Sequence, residues 1–241
     1  GIKAGDRVLA FTSGGGYAEY VSVNFQQVNP LPDQISYAES TALLVQGMTA
    51  LGLLNDAVSG QTILVHAAAG GVGSILVQLA KLKGLRVIGT ASSTEKLEKV
   101  LSFGADAAVN YSENDWPDEV LKANNGKGVD IVIEMVGGEI VARNLEVLGV
   151  NGTMLVYGAA SGENYPLPIL SLLQKNTTVR GYWLSLEPAE RRAAFAAELA
   201  DHVASGRVKI AITEYPLEKA ADAHRALEGR RTTGKIVLKV N

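Results

Sequence analysis

A glycine-rich turn between an apolar strand and a helix constrains this chain more than any other feature. After the apolar residues 62–66, Ala68, Gly70 and Gly73 fit the dinucleotide fingerprint in the form A-x-G-x-x-G. Such a turn lets the backbone approach a pyrophosphate without Cβ atoms in the way. The helix that follows offers the anion its free N–H groups and its positive dipole end. The sequence therefore predicts a dinucleotide site, the alternative being a tight strand–helix turn that binds no ligand.

Short apolar runs alternate with helical segments along most of the chain. We predict strands at residues 62–66, 86–90, 107–110, 129–134 and 153–157. We predict helices between and after them at residues 73–83, 94–103, 116–123, 138–148 and 189–205. This alternation is typical of right-handed βαβ units, and it predicts an α/β fold with a doubly wound parallel sheet of the Rossmann type.

The two ends of the chain do not follow this alternation. Residues 6–10 and 17–23 have the pattern of two short strands joined by a glycine turn, and residues 36–54 have helical character. Two strands cannot form a stable domain alone, so this pair needs partners from elsewhere. A strand at 208–213, a helix at 217–227 and a strand at 235–240 complete the prediction.

The end of the second predicted strand bears on which dinucleotide binds. A NAD-specific site usually places an acid about 20 residues after the fingerprint, where it bonds the ribose 2′-hydroxyl. Here Ser92 and Ser93 come first, Thr94 is the expected helix N-cap, and the first acid, Glu95, is followed by Lys96. Hydroxyls and a cation suit the 2′-phosphate of NADPH, and a cation near a helix N-terminus is slightly unfavourable without an anion. The alternative is that Lys96 is a solvated residue of the first helical turn.

Composition excludes several classes of site and partner. The 22 basic and 25 acidic side chains give a net charge of −3, which argues against nucleic-acid binding through overall positive charge. Without cysteine there is no disulfide, thiolate zinc site or cysteine nucleophile, and three scattered histidines do not suggest a metal cluster. We therefore predict no metal site. The uncharged stretch 62–80 contains His66, Gln78 and three glycines, so we expect no membrane span, no signal peptide and a cytoplasmic location.

Several motifs follow one another in the order known from a single family. They are AGDRV at 4–8, YAEY at 17–20, QGMTA at 46–50, VHAAAGGVG at 65–73, GAD at 104–106, VNY at 109–111 and GKIVL at 234–238. With these motifs the chain resembles the zinc-free branch of the medium-chain dehydrogenase/reductase superfamily. Within that branch it is most similar to the NADPH-dependent quinone oxidoreductases of the zeta-crystallin type.

The resemblance implies a set of residues that bind NADPH. The pyrophosphate would lie on Ala69, Gly70, Gly71, Val72 and Gly73. Lys96 and Tyr111 would contact the 2′-phosphate, assisted by Ser92 or Ser93. The ribose would be bordered by Val136 and Gly137, and the nicotinamide pocket would be lined by Thr49, Tyr157, Gly158, Ala159, Trp183 and Leu184.

Some of these residues have ordinary structural alternatives. Tyr111 could be a half-buried aromatic at a strand end, Thr49 could bond its own helix backbone, and Trp183 could pack in the core or against another subunit. We expect His66 to be a histidine at a strand end whose hydrogen bonds are satisfied within the protein, and we assign no chemistry to Glu134. We name no catalytic residue, because the proton could come from solvent or from outside this chain.

The resemblance also implies a domain division. Members of the family carry a further N-terminal segment that builds most of a GroES-like β domain and one wall of the active-site cleft. We therefore expect residues 1–33 to be a remnant of that domain, residues 34–206 to be the Rossmann domain and residues 207–241 to return to the first domain. The chain would then be either a naturally short form or a piece of a longer one.

The expected activity is hydride transfer from NADPH to a quinone or a similar electron-poor conjugated carbonyl, without zinc. The alternatives are an enone or alkenal reductase of the same branch, and an NADPH-binding module without turnover. The expected partners are a small-molecule substrate and a second copy of the chain, with no nucleic acid and no membrane. The resemblance implies a homodimer through the edge strand at 177–182, and the alternative is a covered edge in a monomer.

Overall fold

The computed structural model describes residues 1–240 and contains ten strands and nine α-helices within that range. The strands are β1 (Val8–Ala10), β2 (Val28–Pro30), β3 (Thr62–Val65), β4 (Arg86–Ala91), β5 (Ala107–Asn110), β6 (Val129–Glu134), β7 (Leu148–Val156), β8 (Thr178–Gly181), β9 (Ile212–Pro216) and β10 (Lys235–Lys239). The α-helices are α1 (Tyr37–Ala42), α2 (Met48–Leu53), α3 (Gly71–Leu82), α4 (Thr94–Ser102), α5 (Trp116–Ala123), α6 (Glu139–Val147), α7 (Ile169–Lys175), α8 (Ala189–Ala204) and α9 (Ala220–Glu228). Short 3₁₀ turns lie at Phe25–Gln27, Leu184–Leu186 and Leu217–Lys219, and a π-helical turn lies at Leu43–Gly47.

A six-stranded parallel sheet in the order β5-β4-β3-β6-β7-β8 forms the centre of the structure. This order is that of a dinucleotide-binding sheet, in which the two halves run outward in opposite directions from adjacent strands. Here those strands are β3 and β6, and the crevice at their carboxyl ends is the switch point where such folds bind ligands. The predicted α/β fold with a doubly wound parallel sheet is confirmed.

Helices cover both faces of the sheet, and this explains why its central strands are apolar throughout. Successive side chains of a strand point to opposite faces. Accordingly Ile63 and Val65 pack in one core with Leu76 of α3, whereas Leu64 packs in the other with Trp116 of α5. All five of these side chains are almost completely buried.

The interior elements were predicted well, and the differences lie at their ends. Ser93 rather than Thr94 is the N-cap of α4, because its hydroxyl accepts a hydrogen bond from the N–H of Lys96 at 3.4 Å. Leu148, predicted as the end of a helix, begins β7. The predicted strand at 208–213 is displaced to β9, because Val208 still belongs to the turn that ends α8, where its N–H donates to the carbonyl of His202.

The N-terminal hairpin prediction is wrong. β1 pairs antiparallel with β2, and residues 17–23 form no strand. The strand-like segment has no buried face to occupy, since Tyr17 is 62% and Tyr20 is 90% exposed. The Tyr17 hydroxyl instead lies 2.9 Å from Nε2 of His224 in α9.

The C-terminal strands form a separate parallel pair, β9 with β10. The loop that leads into β10 is fixed to the central sheet, since the N–H of Gly234 donates to the carbonyl of Ala69 at 2.8 Å. Within residues 1–240, no helix combines the length and the apolar character needed to cross a membrane.

Gly89 in β4 provides a test of how closely the sheet and its helices pack. A Cβ atom there would lie 2.4 Å from Cγ1 of Val100 in α4 and 2.9 Å from Cβ of Ala68. We expect Gly89→Ala to lower the free energy of unfolding by about 1–3 kcal/mol, because overpacking forces a backbone shift. Urea unfolding followed by circular dichroism measures this. Gly14→Ala is the control, since a Cβ there meets nothing within 4 Å, and equal midpoints for the two variants would contradict the expectation.

Candidate functional site

The glycine turn has the close backbone approach that its sequence predicts. A Cβ atom on Gly73 would lie 2.5 Å from the carbonyl oxygen of Ala67 and 2.7 Å from Cα of Ala68. Ala67 itself has a positive φ of 49°, a conformation that non-glycine residues rarely adopt and that clusters at functional sites. No side chain caps α3 at Gly70, so the N–H groups of its first turn have no intrahelical partner.

Gln46, in the π-helical turn, lies against this glycine turn. A Cβ atom on Gly71 would come within 2.6 Å of the Gln46 amide nitrogen, so only glycine fits there without moving that side chain. The amide oxygen of Gln46 is buried and has no hydrogen-bond partner among residues 1–240. A buried polar atom without a partner is costly unless a ligand or water completes it.

The glycine turn is also covered by a loop that was not predicted to belong to the site. Gly234 forms a parallel bridge with Gly70. Four residues earlier, Arg230 has a positive φ of 52°, and its guanidinium lies 3.4 Å from the carbonyl of Ala160. The carbonyl of Arg230 accepts a hydrogen bond from Nζ of Lys96. The contact joins residues 134 positions apart, so only the tertiary structure reveals it.

The predicted 2′-phosphate residues meet at the carboxyl ends of β4 and β5. Ser92 and Ser93 follow β4, Lys96 lies in the first turn of α4, and Tyr111 follows β5 with its N–H bonded to the carbonyl of Ala91 at 3.2 Å. Burial lowers the pKa of Lys96, and the nearby Arg230 lowers it further while Glu95 opposes the shift. Neither Lys96 nor Arg230 forms an ion pair with a residue of the described range 1–240.

A buried carboxylate shapes the turn after β6. Oε1 of Glu134 accepts hydrogen bonds from the N–H groups of Val136 and Gly137 at 2.5 and 2.8 Å. Oε2 accepts a third from the Asn144 amide at 2.7 Å. Glu134 is completely buried, so these bonds replace the water that its carboxylate loses. Glu134, to which the sequence alone assigns no chemistry, therefore holds this turn in the structure.

The network continues to the strand that precedes the glycine turn. Nε2 of His66 lies 2.6 Å from the Asn144 carbonyl oxygen and Nδ1 lies 2.8 Å from the Thr90 hydroxyl. Because Asn144 donates to Glu134 through its amide nitrogen, its oxygen must accept from His66. Nε2 therefore carries a proton, and the neutral form of the ring is the Nε2–H tautomer. Burial lowers the pKa of His66, although Glu134 and Asn144 oppose the shift. His66 is thus a satisfied, buried histidine.

The turns after β6 and β7 are tied together. Val136 accepts from the N–H of Ser161 at 2.7 Å, and Met135 accepts from the N–H of Ala160 at 2.8 Å. A Cβ on Gly137, whose φ is 81°, would lie 2.6 Å from the Ser161 hydroxyl. Four predicted site residues therefore lie on two connected turns at one edge of the sheet: Val136, Gly137, Gly158 and Ala159.

An open cleft of about 540 Å³ is lined by four of the six predicted nicotinamide residues: Thr49, Tyr157, Trp183 and Leu184. Gly158 and Ala159 are not among its lining residues, whereas Val72, which was predicted at the pyrophosphate, is one of them. Its other walls come from Phe11, Gln27, Leu44, Val45, Met48, Tyr182, Ser185 and Arg192.

The alternatives for Trp183 and Thr49 can now be compared with the structure. Trp183 is 66% exposed, so it is not a core residue in this chain. The Thr49 hydroxyl makes no hydrogen bond within residues 1–240, to its own helix or elsewhere. Burial raises the pKa of the Tyr157 hydroxyl, which keeps that phenol in its protonated form.

The His66 network predicts a pH dependence of stability. At a pH between the lowered pKa of His66 in the folded chain and its ordinary value of about 6.5, His66 binds a proton in the unfolded chain but not in the folded chain. The contribution of His66 therefore makes the free energy of unfolding fall as pH drops below about 6.5, by at most about 1.4 kcal/mol per pH unit.

Nitrogen-15 NMR of the labelled histidine ring isolates this contribution from that of other groups. We expect the His66 ring to remain the neutral Nε2–H tautomer at pH 6. A ring that protonates at or above pH 6.5 would contradict the assignment of the network.

Comparisons with known proteins agree with this geometry. The sequence profile of the family described as "Zinc-binding dehydrogenase" matches residues 71–205. The quinone oxidoreductase of Mus musculus is 36% identical over 247 residues, which cover 98% of this chain and 73% of the mouse protein. The crystal structure of Escherichia coli quinone oxidoreductase complexed with NADPH has a TM-score of 0.89 at 33% identity, covering 98% of this chain and 76% of that one. A mycobacterial structure complexed with NADPH has a TM-score of 0.90 at 35% identity, covering 98% and 75% of the two chains.

The family description mentions zinc, but the donors in this chain do not fit that metal. The sequence has no cysteine. Among residues 1–240 no three histidine, aspartate or glutamate side chains lie close enough together to hold a metal ion. Structural and catalytic zinc sites need three or four such donors, so the described residues supply no zinc site.

One assignment follows from the strand order, the glycine turn, the matched profile and the relatives that align with nearly all of this chain. The chain belongs to the zinc-binding dehydrogenase family, in which its relatives are the quinone oxidoreductases.

Proposed function

We propose that this chain is an NADPH-dependent oxidoreductase whose cofactor lies along the carboxyl edge of the parallel sheet. The observation that carries the proposal is the convergence of three features at that edge. They are a glycine turn that no larger residue could form, the cations Lys96 and Arg230, which form no ion pair within residues 1–240, and a cleft lined mainly by aromatic and apolar residues. The E. coli and mycobacterial relatives, whose structures contain NADPH, support it.

Each part of the edge suits one part of the dinucleotide. The glycine turn and the start of α3, from Gly70 to Gly73, would hold the pyrophosphate, because the N–H groups of the first helical turn have no intrahelical partner. The 2′-phosphate would be held by Lys96 and Arg230, together with the hydroxyls of Ser92, Ser93 and Tyr111. Arg230 is near enough to lower the pKa of Lys96, and an anion bound beside the two cations would offset their repulsion.

The remaining contacts are with the ribose and the nicotinamide. The turn held by Glu134 would place Val136 and Gly137 beside the ribose. The nicotinamide would be surrounded by Thr49, Tyr157, Gly158, Ala159, Trp183 and Leu184. Gln46, whose buried amide oxygen has no partner among residues 1–240, would contact the cofactor between these two regions.

The proposed substrate is a quinone or a similar conjugated carbonyl, reduced without zinc. NADPH, when bound, supplies a hydride. An electron-poor quinone can accept the hydride without a metal to polarise it, and a proton from solvent completes the hydroquinone. The cleft supports this choice, since its aromatic and aliphatic walls suit a flat apolar molecule.

Lys96 provides the test of cofactor specificity. We expect the chain to bind NADPH more tightly than NADH, and Lys96→Gln to weaken NADPH binding about tenfold while leaving NADH binding unchanged, since one charge-assisted hydrogen bond is lost. Isothermal titration calorimetry measures both affinities. The control is Lys99→Gln, in the last turn of the same helix. Equal affinity of the unmodified chain for NADPH and NADH would contradict the proposal.

Turnover is measured on the same sample, as NADPH oxidation with 1,4-benzoquinone as acceptor. Oxidation that is faster with NADPH than with NADH supports the enzyme. Binding without oxidation would show that this chain is an NADPH-binding module.

We also propose that the chain forms a homodimer through β8. This strand is an edge of the sheet. In the helix that leads into it, three apolar residues are largely exposed: Ile169 by 71%, Leu170 by 73% and Leu173 by 72% of their accessible surface. An open strand edge beside exposed apolar side chains favours pairing with a second copy. The domain boundaries at 33/34 and 206/207 and the cytoplasmic location stay predictions.

Gly181 tests the dimer. The N–H of Tyr182 donates to Val156 of β7 at 2.8 Å, so the N–H of Gly181 faces the open edge, because successive N–H groups alternate sides. We expect light scattering to give twice the 25.4 kDa of the chain for the unmodified protein and for Gly181→Ala. Gly181→Pro, which lacks the N–H, should give the monomer mass. A dimer that survives Gly181→Pro would contradict pairing through this edge.

A further inference from the structure

We propose that Arg192 selects substrates that carry an anionic oxygen group, such as a carboxylate or sulfonate, on an apolar conjugated body. This inference deepens the proposed function and rests on it, because it concerns the substrate of the same cleft. Arg192 would act as a specificity-determining residue that contacts the substrate away from the carbon that receives the hydride.

The composition of the cleft is the first observation. Its thirteen lining residues are apolar, aromatic or uncharged polar except for one, Arg192. A pocket with apolar walls and a single cation suits a ligand with two parts. The apolar walls would cover its hydrophobic part, and the cation would bind its one anionic group.

The surroundings of Arg192 are the second observation. Its side chain is half-buried in the first turns of α8, and its Nη1 lies 3.5 Å from the carbonyl of Ser185, at the limit of a hydrogen bond. Within residues 1–240 this guanidinium forms no ion pair. Most of its five N–H donors are therefore available to a ligand.

The neighbouring residue shows the contrast. Arg191 is paired with Glu187 at 3.2 Å and lies on a different side of the helix start, beside Asp56 and Arg180. Two adjacent arginines thus have different surroundings: Arg191 is neutralised on the surface, whereas Arg192 faces the cleft and has no counterion in the described part of the chain. Glu190, in the same first turn, is exposed and pairs with neither arginine.

The chemistry favours a planar oxyanion. Guanidinium binds a carboxylate or sulfonate through two parallel N–H···O bonds. Beside apolar walls such a pair is screened less than in water, so it adds to the affinity. The N-terminal end of α8 carries positive dipole charge, which an anion at this place also offsets.

Two matched probes test the proposal without turnover or cofactor. They are 2-naphthoate, which carries a carboxylate, and 2-naphthamide, which has nearly the same shape and no charge. We expect isothermal titration calorimetry to show that the chain, in the absence of NADPH, binds 2-naphthoate about tenfold more tightly than 2-naphthamide. Because neither reaction nor cofactor is involved, failure of the proposed oxidoreductase activity would leave this result unaffected.

Three variants decide whether Arg192 is responsible. Arg192→Gln should reduce the affinity ratio of the two probes to about one, Arg192→Lys should retain part of the ratio, and Arg191→Gln should retain all of it. Melting temperatures of the variants show that each is folded.

Other outcomes would overturn the proposal. An unmodified chain without preference for 2-naphthoate, an unchanged ratio in Arg192→Gln, or an equal loss in Arg191→Gln would each do so. A lower affinity of Arg192→Gln for NADPH with an unchanged probe ratio would show that Arg192 serves the cofactor instead.

Discussion

The close approach of backbone to backbone at Gly73 is the constraint on which the rest of the site depends. With a Cβ atom 2.5 Å from the Ala67 carbonyl and 2.7 Å from Cα of Ala68, no other residue fits there without moving the strand–helix junction. The junction aims the N-terminus of α3 along the carboxyl edge of the sheet. It also carries Ala69, whose carbonyl fixes the loop of Arg230 and Gly234 over the same edge. A shift of this turn would therefore displace its contacts with Gln46 and with the loop that contains Gly234.

The buried Glu134 carboxylate is the second organising element. One of its oxygens holds the turn after β6, and the other accepts from Asn144, which connects it to His66, the residue after β3. The turn that borders the proposed ribose position and the strand that feeds the glycine turn thus share one hydrogen-bonded network. Because every member is buried, loss of one partner leaves another unsatisfied, and the network holds both turns in one arrangement.

Local patterns in the sequence were sufficient for the parallel sheet and for the glycine turn. The apolar run of β3 and the fingerprint at Ala68, Gly70 and Gly73 depend on neighbours close in sequence, and both appear in the structure as the sequence predicts. What failed depends on distant partners. Residues 17–23 have a strand pattern but no strand to pair with, and Arg230 meets Lys96 across 134 positions. The unpaired state of Arg192 could not be predicted either, because it depends on which of two adjacent arginines Glu187 contacts.

In the proposed site, residues far apart in sequence bind one NADPH molecule along the carboxyl edge of the sheet. Hydrogen–deuterium exchange with and without NADPH is the sharpest test, because it reports every backbone segment at once. We expect NADPH to slow exchange together at residues 67–74, 92–96, 135–137, 157–161 and 229–234, and to leave α5 and α7 unchanged. Protection confined to one of these segments, or protection mainly outside them, would contradict it.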